Sequence, residues 1–526
     1  MTSAAVDFEQ AITLTVGFQN GLNAYVLPVA QCDLQLNSAH MGYLNISFLI
    51  GGICSAFLWG LLGDLIGRRK VLMFTLLCDW VATVCAGLSQ TFYELLIFRF
   101  MSGFLIGAPG TLMYSYCAEF QPLRFRTKVI CFIGMFFTVA WLILPVLAWI
   151  IMPLPWEVRI SGFIFNSWRL FIIIVSFPSF ITGFWLFYLP ESPKFLLSRG
   201  DSKRALIILK HIFSVNTGQP ADNFQVKKLI DDASLKQVLN KDSSMKVVGR
   251  GRTARLIKEA GEQMKRLFRP PLLGMSILTS LMLFTNMFGY LGLGVWLPEI
   301  LNRFEEFNSL YPGEKITLCE LQSIHKSVHL VNNDTSAPSL NLTEYNTVGE
   351  TSVRCENSMD DMVFMNTIIM GASCLIGNLF SVYFTGLLNR KVLPVVTMLV
   401  GSVSAAGIYW LNTSTQHLIV ASLFQASMAT ANIVLNGVVV ELFPTVVSAM
   451  AVCTATLAGR LGAVVSNLVL GLLLDVSCEI PLLIIVIILL AGASLGLLIP
   501  SDNKLTKNEK EIAESYKSVS DISTIS

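Results

Sequence analysis

Apolar residues in this chain come in long blocks rather than in alternation or narrow helical stripes. Twelve blocks, at roughly 11–30, 42–64, 71–90, 96–118, 128–150, 169–189, 272–296, 362–384, 392–411, 417–440, 449–474 and 481–500, have the reach of a membrane span or approach it. A helix needs about 20 mostly apolar residues to cross a bilayer. Short polar connections separate the blocks, except for two longer hydrophilic segments at 191–271 and 302–361. The pattern predicts an all-α membrane protein of about twelve transmembrane helices. It divides into a six-helix bundle at 1–190, a basic loop with short helices at 191–271, a second bundle at 272–500 and a polar tail at 501–526.

Composition agrees with a chain that faces lipid. Of its 526 residues, 53% are apolar and 14% charged, against about 25% charged in a soluble globule. Residues Met1–Glu9 are polar and carry no basic run, so the first span is expected to act as the insertion signal. No Walker A segment, serine elbow or Cys-x-x-Cys pair occurs, and neither an enzyme, a nucleotide-driven pump, a metal site nor a cofactor is expected.

Basic residues set the expected orientation. Arg68, Arg69 and Lys70 follow span 2, Arg124, Arg126 and Lys128 follow span 4, and a basic stretch from Lys194 to Arg269 follows span 6. The positive-inside rule places these connections and both termini in the cytoplasm. Segment 302–361 is acidic, with two glycosylation sequons at Asn333 and Asn341 and two cysteines, Cys319 and Cys355. Glycan acceptors and a disulfide between those cysteines fit the oxidising side of the membrane.

Three motifs carry a resemblance. Gly60-Leu-Leu-Gly63-Asp64-Leu-Ile-Gly67-Arg68-Arg69 ends span 2, Glu119-Phe-Gln-Pro122-Leu-Arg-Phe-Arg126 ends span 4, and Glu441-Leu-Phe-Pro444 ends span 10. Glu-x-x-Pro at corresponding exits from both halves is what a duplicated six-helix unit leaves behind. The first motif resembles the loop 2–3 signature of the major facilitator superfamily. The resemblance implies a cytoplasmic latch between halves built from Gly60, Asp64, Gly67, Arg68, Arg69, Arg99, Glu119, Arg126 and Glu441. Ser167-Trp168-Arg169 before helix 6 and Gly292-Leu-Gly-Val-Trp296-Leu-Pro298 ending helix 7 narrow the likeness to the synaptic vesicle glycoprotein 2 family and the related organic cation and anion transporters.

The chain departs from that pattern in helix 1. A polar opening runs into Val16-Gly17-Phe18 with little apolar sequence between, which predicts a shortened span from about Phe8–Ala11 to Pro28 and an unfilled groove beside it. Candidate cavity residues are the polar and aromatic side chains inside spans: Gln19, Asn23, Asp79, Asn286, Tyr290, Gln425, Asn432 and Arg460. A charge at that depth costs about 2.5–3.5 kcal/mol on insertion scales, so Asp79 and Arg460 must face the protein interior. Each serves cation or proton binding, anion binding, or plain hydrogen-bonded packing.

The expected function is secondary transport of a small organic solute, an organic ion or related metabolite, by alternating access. A coupling ion is a possible second partner, nucleic acid is not a partner, and the plasma membrane and a vesicle membrane are both open as its location. The rival reading is a receptor or regulator that keeps a transporter fold without moving substrate.

Overall fold

The computed structural model describes most of residues 2–226, 264–310, 317–320, 361–384, 391–473 and 479–500, apart from short gaps. The first half contains α1 (Thr2–Asp33), α2 (Ser38–Ile66), α3 (Arg68–Gly87), α4 (Phe92–Phe120), α5 (Leu123–Ile151) and α6 (Ser167–Trp185). A short antiparallel hairpin, β1 (Glu157–Ile160) and β2 (Phe163–Asn166), joins α5 to α6. Beyond it lie α7 (Pro193–Ser198) and α8 (Ser202–Thr217), capped by Asp201 at its start and by left-handed Gly218 at its end.

The second half begins with a broken span. Its parts are α9 (Leu273–Met287), a π-helical stretch (Phe288–Leu293) and α10 (Gly294–Leu310). Then come α11 (Asp361–Phe384), α12 (Val392–Gly407), α13 (Ser414–Leu442), α14 (Thr445–Leu473) and α15 (Glu479–Gly496). Each of the twelve apolar blocks is thus a helix. Among the described residues, ten spans pass a length and hydropathy criterion for crossing a membrane. The helices α1 and α2, both in the first half, bring its bundle to six. Large apolar side chains such as Phe74, Ile97, Ile181, Val403 and Leu483 stay exposed, as lipid contact requires.

The first helix corrects the sequence reading. It is one continuous helix of 32 residues, neither short nor broken, and it fills the place where a groove was expected. Its polar first half turns inward: Glu9, Thr13 and Thr15 are buried, beside Phe8, Ile12 and Val16. Thr13 and Thr15 donate to the carbonyls of Glu9 and Ala11, at 2.7 and 2.8 Å. A helix that packs against α4, α5 and α6 and shows little surface to lipid does not need an all-apolar sequence.

One smaller boundary also moves. The helix of span 7 continues to Leu310, so the hydrophilic segment does not begin at 302. Within that extension Arg303 and Glu305 are buried, and Glu305 accepts hydrogen bonds from Ser414 and Asn366. The later part of the basic loop at 191–271, where a second short helix is expected around Arg255–Phe268, falls mostly outside the described residues.

The distribution of the core shows how the halves meet. Because helices alternate in direction, α1 begins and α15 ends on one face, here called the terminal face; Asp33 and Ser38 mark the far face. Toward the far face one hydrophobic core includes both halves, with Leu22, Tyr25, Leu144 and Trp168 continuous with Phe288, Leu297, Phe364 and Phe424. Toward the terminal face there are two separate cores. Phe8, Leu72, Leu112 and Tyr116 belong to the first half, and Leu283, Leu435, Leu442 and Phe443 to the second.

Candidate functional site

The seam between halves is formed by α2 against α14, α5 against α11, and α1 against α10. Small residues let the backbones approach. A Cβ added at Gly42 would lie 3.0 Å from the Cα of Gly471, and one at Gly371 would lie 2.8 Å from the carbonyl oxygen of Trp141. Polar bonds cross the same seam: Asn378 Nδ2 donates to Thr138 Oγ1 at 2.8 Å, and Trp149 Nε1 donates to Asp361 Oδ1 at 2.9 Å.

A cavity opens where these helices diverge. Tyr25 of α1, Trp141 of α5, Tyr290 of the π stretch, Pro298 of α10, Cys374 of α11 and Gln425 of α13 line it. The π stretch aims Tyr290 here, and close packing holds that stretch: a Cβ on Gly292 would overlap the Ser466 side chain. Two polar atoms on the wall, Trp141 Nε1 and Gln425 Oε1, are buried and have no hydrogen-bond partner among the described residues. Leaving such groups unsatisfied costs about 1–3 kcal/mol each, and a bound solute can satisfy both. The geometry is a concave, aromatic site with one donor and one acceptor ready.

Of the sequence candidates, this cavity brings together Tyr290 and Gln425. Asn286, one turn before Tyr290, is fully buried, and both its amide atoms lack partners among the described residues. Asn432 accepts from Asn436, 3.3 Å away on the same helix. Trp296 is tied to Asn467 at 3.1 Å. The sequence reading missed Tyr25, Trp141 and Cys374 as cavity residues; an aromatic side chain inside an apolar block carries no polar contrast to mark it.

The other candidates lie inside the first half. Asp79 of α3 is fully buried and accepts from Ser102 and Ser179, both at 2.7 Å, and from Gln19 at 3.3 Å. Gln19 also takes up Arg99, whose Nη1 reaches its Oε1 at 3.1 Å while Nη2 reaches its carbonyl at 3.0 Å. The Arg99 guanidinium lies 4.5 Å over the Phe48 ring. Thus Arg99 stands in the bundle interior, away from the latch residues with which the sequence grouped it. Asn23 donates to Asn45 at 3.0 Å.

The latch motif forms a cluster on the terminal face of the first half. Arg68 Nη1 lies 2.5 Å from Glu119 Oε1, and Ser192 donates to the other carboxylate oxygen. The backbone N–H of Arg69 donates to Glu191 at 3.1 Å, and its side chain reaches the carbonyls of Leu186 and Phe187. Gly67 turns the chain between α2 and α3 at φ 117°, a conformation open to glycine. A Cβ there would meet Glu191 Oε2 at 2.5 Å. Gly60 has open space around it. In this arrangement the cluster joins the start of α3, the end of α4 and the segment after α6, all in one half. The side chains of Asp64, Arg126 and Glu441, and the residues Asn333, Asn341 and Cys355, lie outside the described residues. Cys319 is in a disulfide.

Comparison with known proteins gives the same architecture. Residues 12–255 match the sugar (and other) transporter family. Synaptic vesicle glycoprotein 2C of Mus musculus is 25% identical over 551 aligned positions, which cover 90% of this chain and 75% of the relative. Synaptic vesicle glycoprotein 2A of Rattus norvegicus is 28% identical over 305 positions, 56% of this chain and 41% of the relative. Among solved structures, the partially occluded inward-open xylose transporter XylE of E. coli superposes with a TM-score of 0.65, at 16% identity over 95% of this chain and 98% of that one. A further inward-open structure of that transporter gives 0.63. The chain is thus a multi-pass membrane protein that is similar over residues 12–255 to the sugar (and other) transporter family, similar along most of its length to synaptic vesicle glycoprotein 2C, and shares its fold with the xylose transporter.

Proposed function

We propose that the chain carries a small organic solute across the membrane by alternating access, with the central cavity as its binding site. One observation carries the reading: the hydrophobic core is shared by both halves toward the far face and split in two toward the terminal face. Halves that are joined on one side and separately packed on the other can rock about the cavity between them. Each half keeps its own core through such a motion, and the seam contacts exchange. With the termini cytoplasmic, as the basic connections favour, the present arrangement is the inward-facing one.

The rival reading, a vesicle receptor or regulator without transport, drew its support from a shortened helix 1 and from the second-half motif, where Ser448 stands at the place corresponding to Arg126. The continuous α1 removes the first of these supports. The names of the relatives favour a vesicle membrane as the location. Purified protein in liposomes, assayed with labelled organic cations, anions and sugars, tests the function. Saturable uptake of one class supports transport; a protein that binds members of the panel yet moves none supports the rival.

A further inference from the structure

His417 is a buried imidazole outside the cavity wall. It lies in the first turn of α13 and is 3% exposed. One ring nitrogen is bonded to the Leu411 carbonyl. The other, Nε2, is buried and has no hydrogen-bond partner among the described residues. The Phe304 ring of α10 lies against the imidazole, with centroids 4.1 Å apart and planes at 38°. The next residue of α10, Glu305, accepts from Ser414 of α13 and from Asn366 of α11. Two consecutive side chains thus fasten the far end of α10 to the first turn of α13.

This contact sits over the cavity on its far side. Pro298 of α10 and Gln425 of α13 line the cavity. Phe304 stands six residues beyond Pro298, and His417 eight before Gln425. The pair is therefore roughly 9–12 Å nearer the far face, at 1.5 Å per residue. Phe304 also belongs to the core shared by both halves. Two features oppose a charge on His417 while α10 is seated. An imidazolium there would bury an unsatisfied N–H, and it would stand at the positive end of the helix dipole. The charged groups on the surrounding elements are engaged elsewhere or set back. Arg303 and Glu305 of α10 are themselves buried, Asp361 of α11 accepts from Trp149, Glu479 of α15 from Tyr409, and Glu320 from Thr317. None of them bonds Nε2.

We propose that His417 is a proton-binding site that works the far-side gate: a proton taken up there frees the end of α10 from α13 and opens a path to the cavity. The switch itself is conformational, and only its use in moving a solute rests on the transport reading above. Once α10 moves off, water reaches Nε2 and solvates the charge, so the open state holds the proton more tightly than the closed one. By linkage, acid on the far side then favours opening. The break at the π stretch lets the end of α10 turn while α9 stays packed. With the termini cytoplasmic, the far face meets the outside or a vesicle lumen, and acidification of that compartment is the signal.

The test is amide hydrogen exchange of the full chain in detergent, read by mass spectrometry at about pH 7.5 and about pH 5.5, with exchange times scaled for the intrinsic chemical rate. A hydrated imidazole titrates near pH 6.5, so the open population should rise by up to about tenfold over that interval. The rise should appear as faster exchange in peptides spanning residues 300–310 and 414–420. His417→Gln should abolish the acceleration. His417→Phe, which keeps a ring against Phe304, gives the same reading should the glutamine variant fail to fold. His40→Gln, at the start of α2 on the same face, and Glu305→Gln should retain it. No acceleration in the wild type, acceleration kept by both His417 variants, or its loss in His40→Gln or Glu305→Gln overturns the proposal. The liposome uptake assay separates the two claims. Uptake without a His417-dependent response leaves transport standing and sinks the switch. A His417-dependent response in a protein that moves no solute supports the switch and sinks transport.

Discussion

The amide of Asn378 on α11 donates a 2.8 Å hydrogen bond to the hydroxyl of Thr138 on α5, joining residues 240 positions apart across the two halves. Both are buried, and Thr430 donates to the Asn378 amide oxygen at 3.4 Å. A hydrogen bond of this kind contributes about 0.5–1.5 kcal/mol net, and more is lost when a partner is left unsatisfied. On the proposed rocking of the halves, the energy bears on the conformational equilibrium, since opening the seam would break the bond.

Asn378→Ala should therefore shift the protein toward opening on the far face by about fivefold or more, the population change that roughly 1 kcal/mol produces. Cys374, one turn away, is buried on the cavity wall and reports the change. Its modification by a membrane-impermeant thiol reagent applied from the far side, read by peptide mass spectrometry, should accelerate in the variant. An unchanged rate would remove this bond from the gate.

Asp33 and Arg169 tie the end of α1 to the start of α6. Asp33 Oδ2 accepts from Arg169 at 3.2 Å and from Trp168 Nε1 at 2.8 Å, and Asn166 donates to the same oxygen. Arg169 also donates to the Ser89 carbonyl at 3.2 Å. Removing one partner of a buried pair strands the other, at a cost of about 3–5 kcal/mol. Asp33→Ala should lower the melting temperature of the purified protein markedly. A melting temperature within error of the wild type would show that Arg169 finds other acceptors.

Much of this fold was readable in the chain. All twelve apolar blocks are helices, because a membrane span announces itself by length and by exclusion of charge. Helix 1 misled for a related reason. Hydropathy reports contact with lipid, whereas Glu9, Thr13 and Thr15 face the bundle, where packing and hydrogen bonds replace apolar character. Site residues were legible only where polarity set them apart. Gln425 stood out and Trp141 did not, though the same cavity holds both. Arg99 was placed by its motif neighbourhood near a membrane edge, while the fold carries it inward to Gln19.

Gly67 offers a test of the terminal-face cluster. Its φ of 117° is strained for any residue with a side chain, and a Cβ would press on Glu191. Such conformations cost of order 1–3 kcal/mol. Gly67→Ala should reduce uptake and loosen the turn between α2 and α3, detected as faster amide exchange at residues 66–71. Full uptake with native exchange would show that the turn tolerates the substitution.

The hydrophilic segment after α10 is expected to carry a Cys319–Cys355 disulfide and glycans at Asn333 and Asn341. Peptide mapping without reduction should recover a Cys319–Cys355 linked pair, and enzymatic deglycosylation of protein from a eukaryotic host should increase gel mobility. Linkage of Cys319 to Cys32 or Cys478, or unchanged mobility, would contradict these assignments.

Rocking of the halves about the central cavity is tested most directly by tying the far face shut. Trp149 and Asp361, hydrogen-bonded across the seam at 2.9 Å, can each be replaced by cysteine and bridged with a short bifunctional thiol reagent in liposomes that accumulate a transported solute. Bridging should abolish uptake in the double variant while sparing each single variant, and cleaving the bridge should restore it. Uptake that continues at the uncrosslinked rate with the bridge in place would contradict alternating access through this seam.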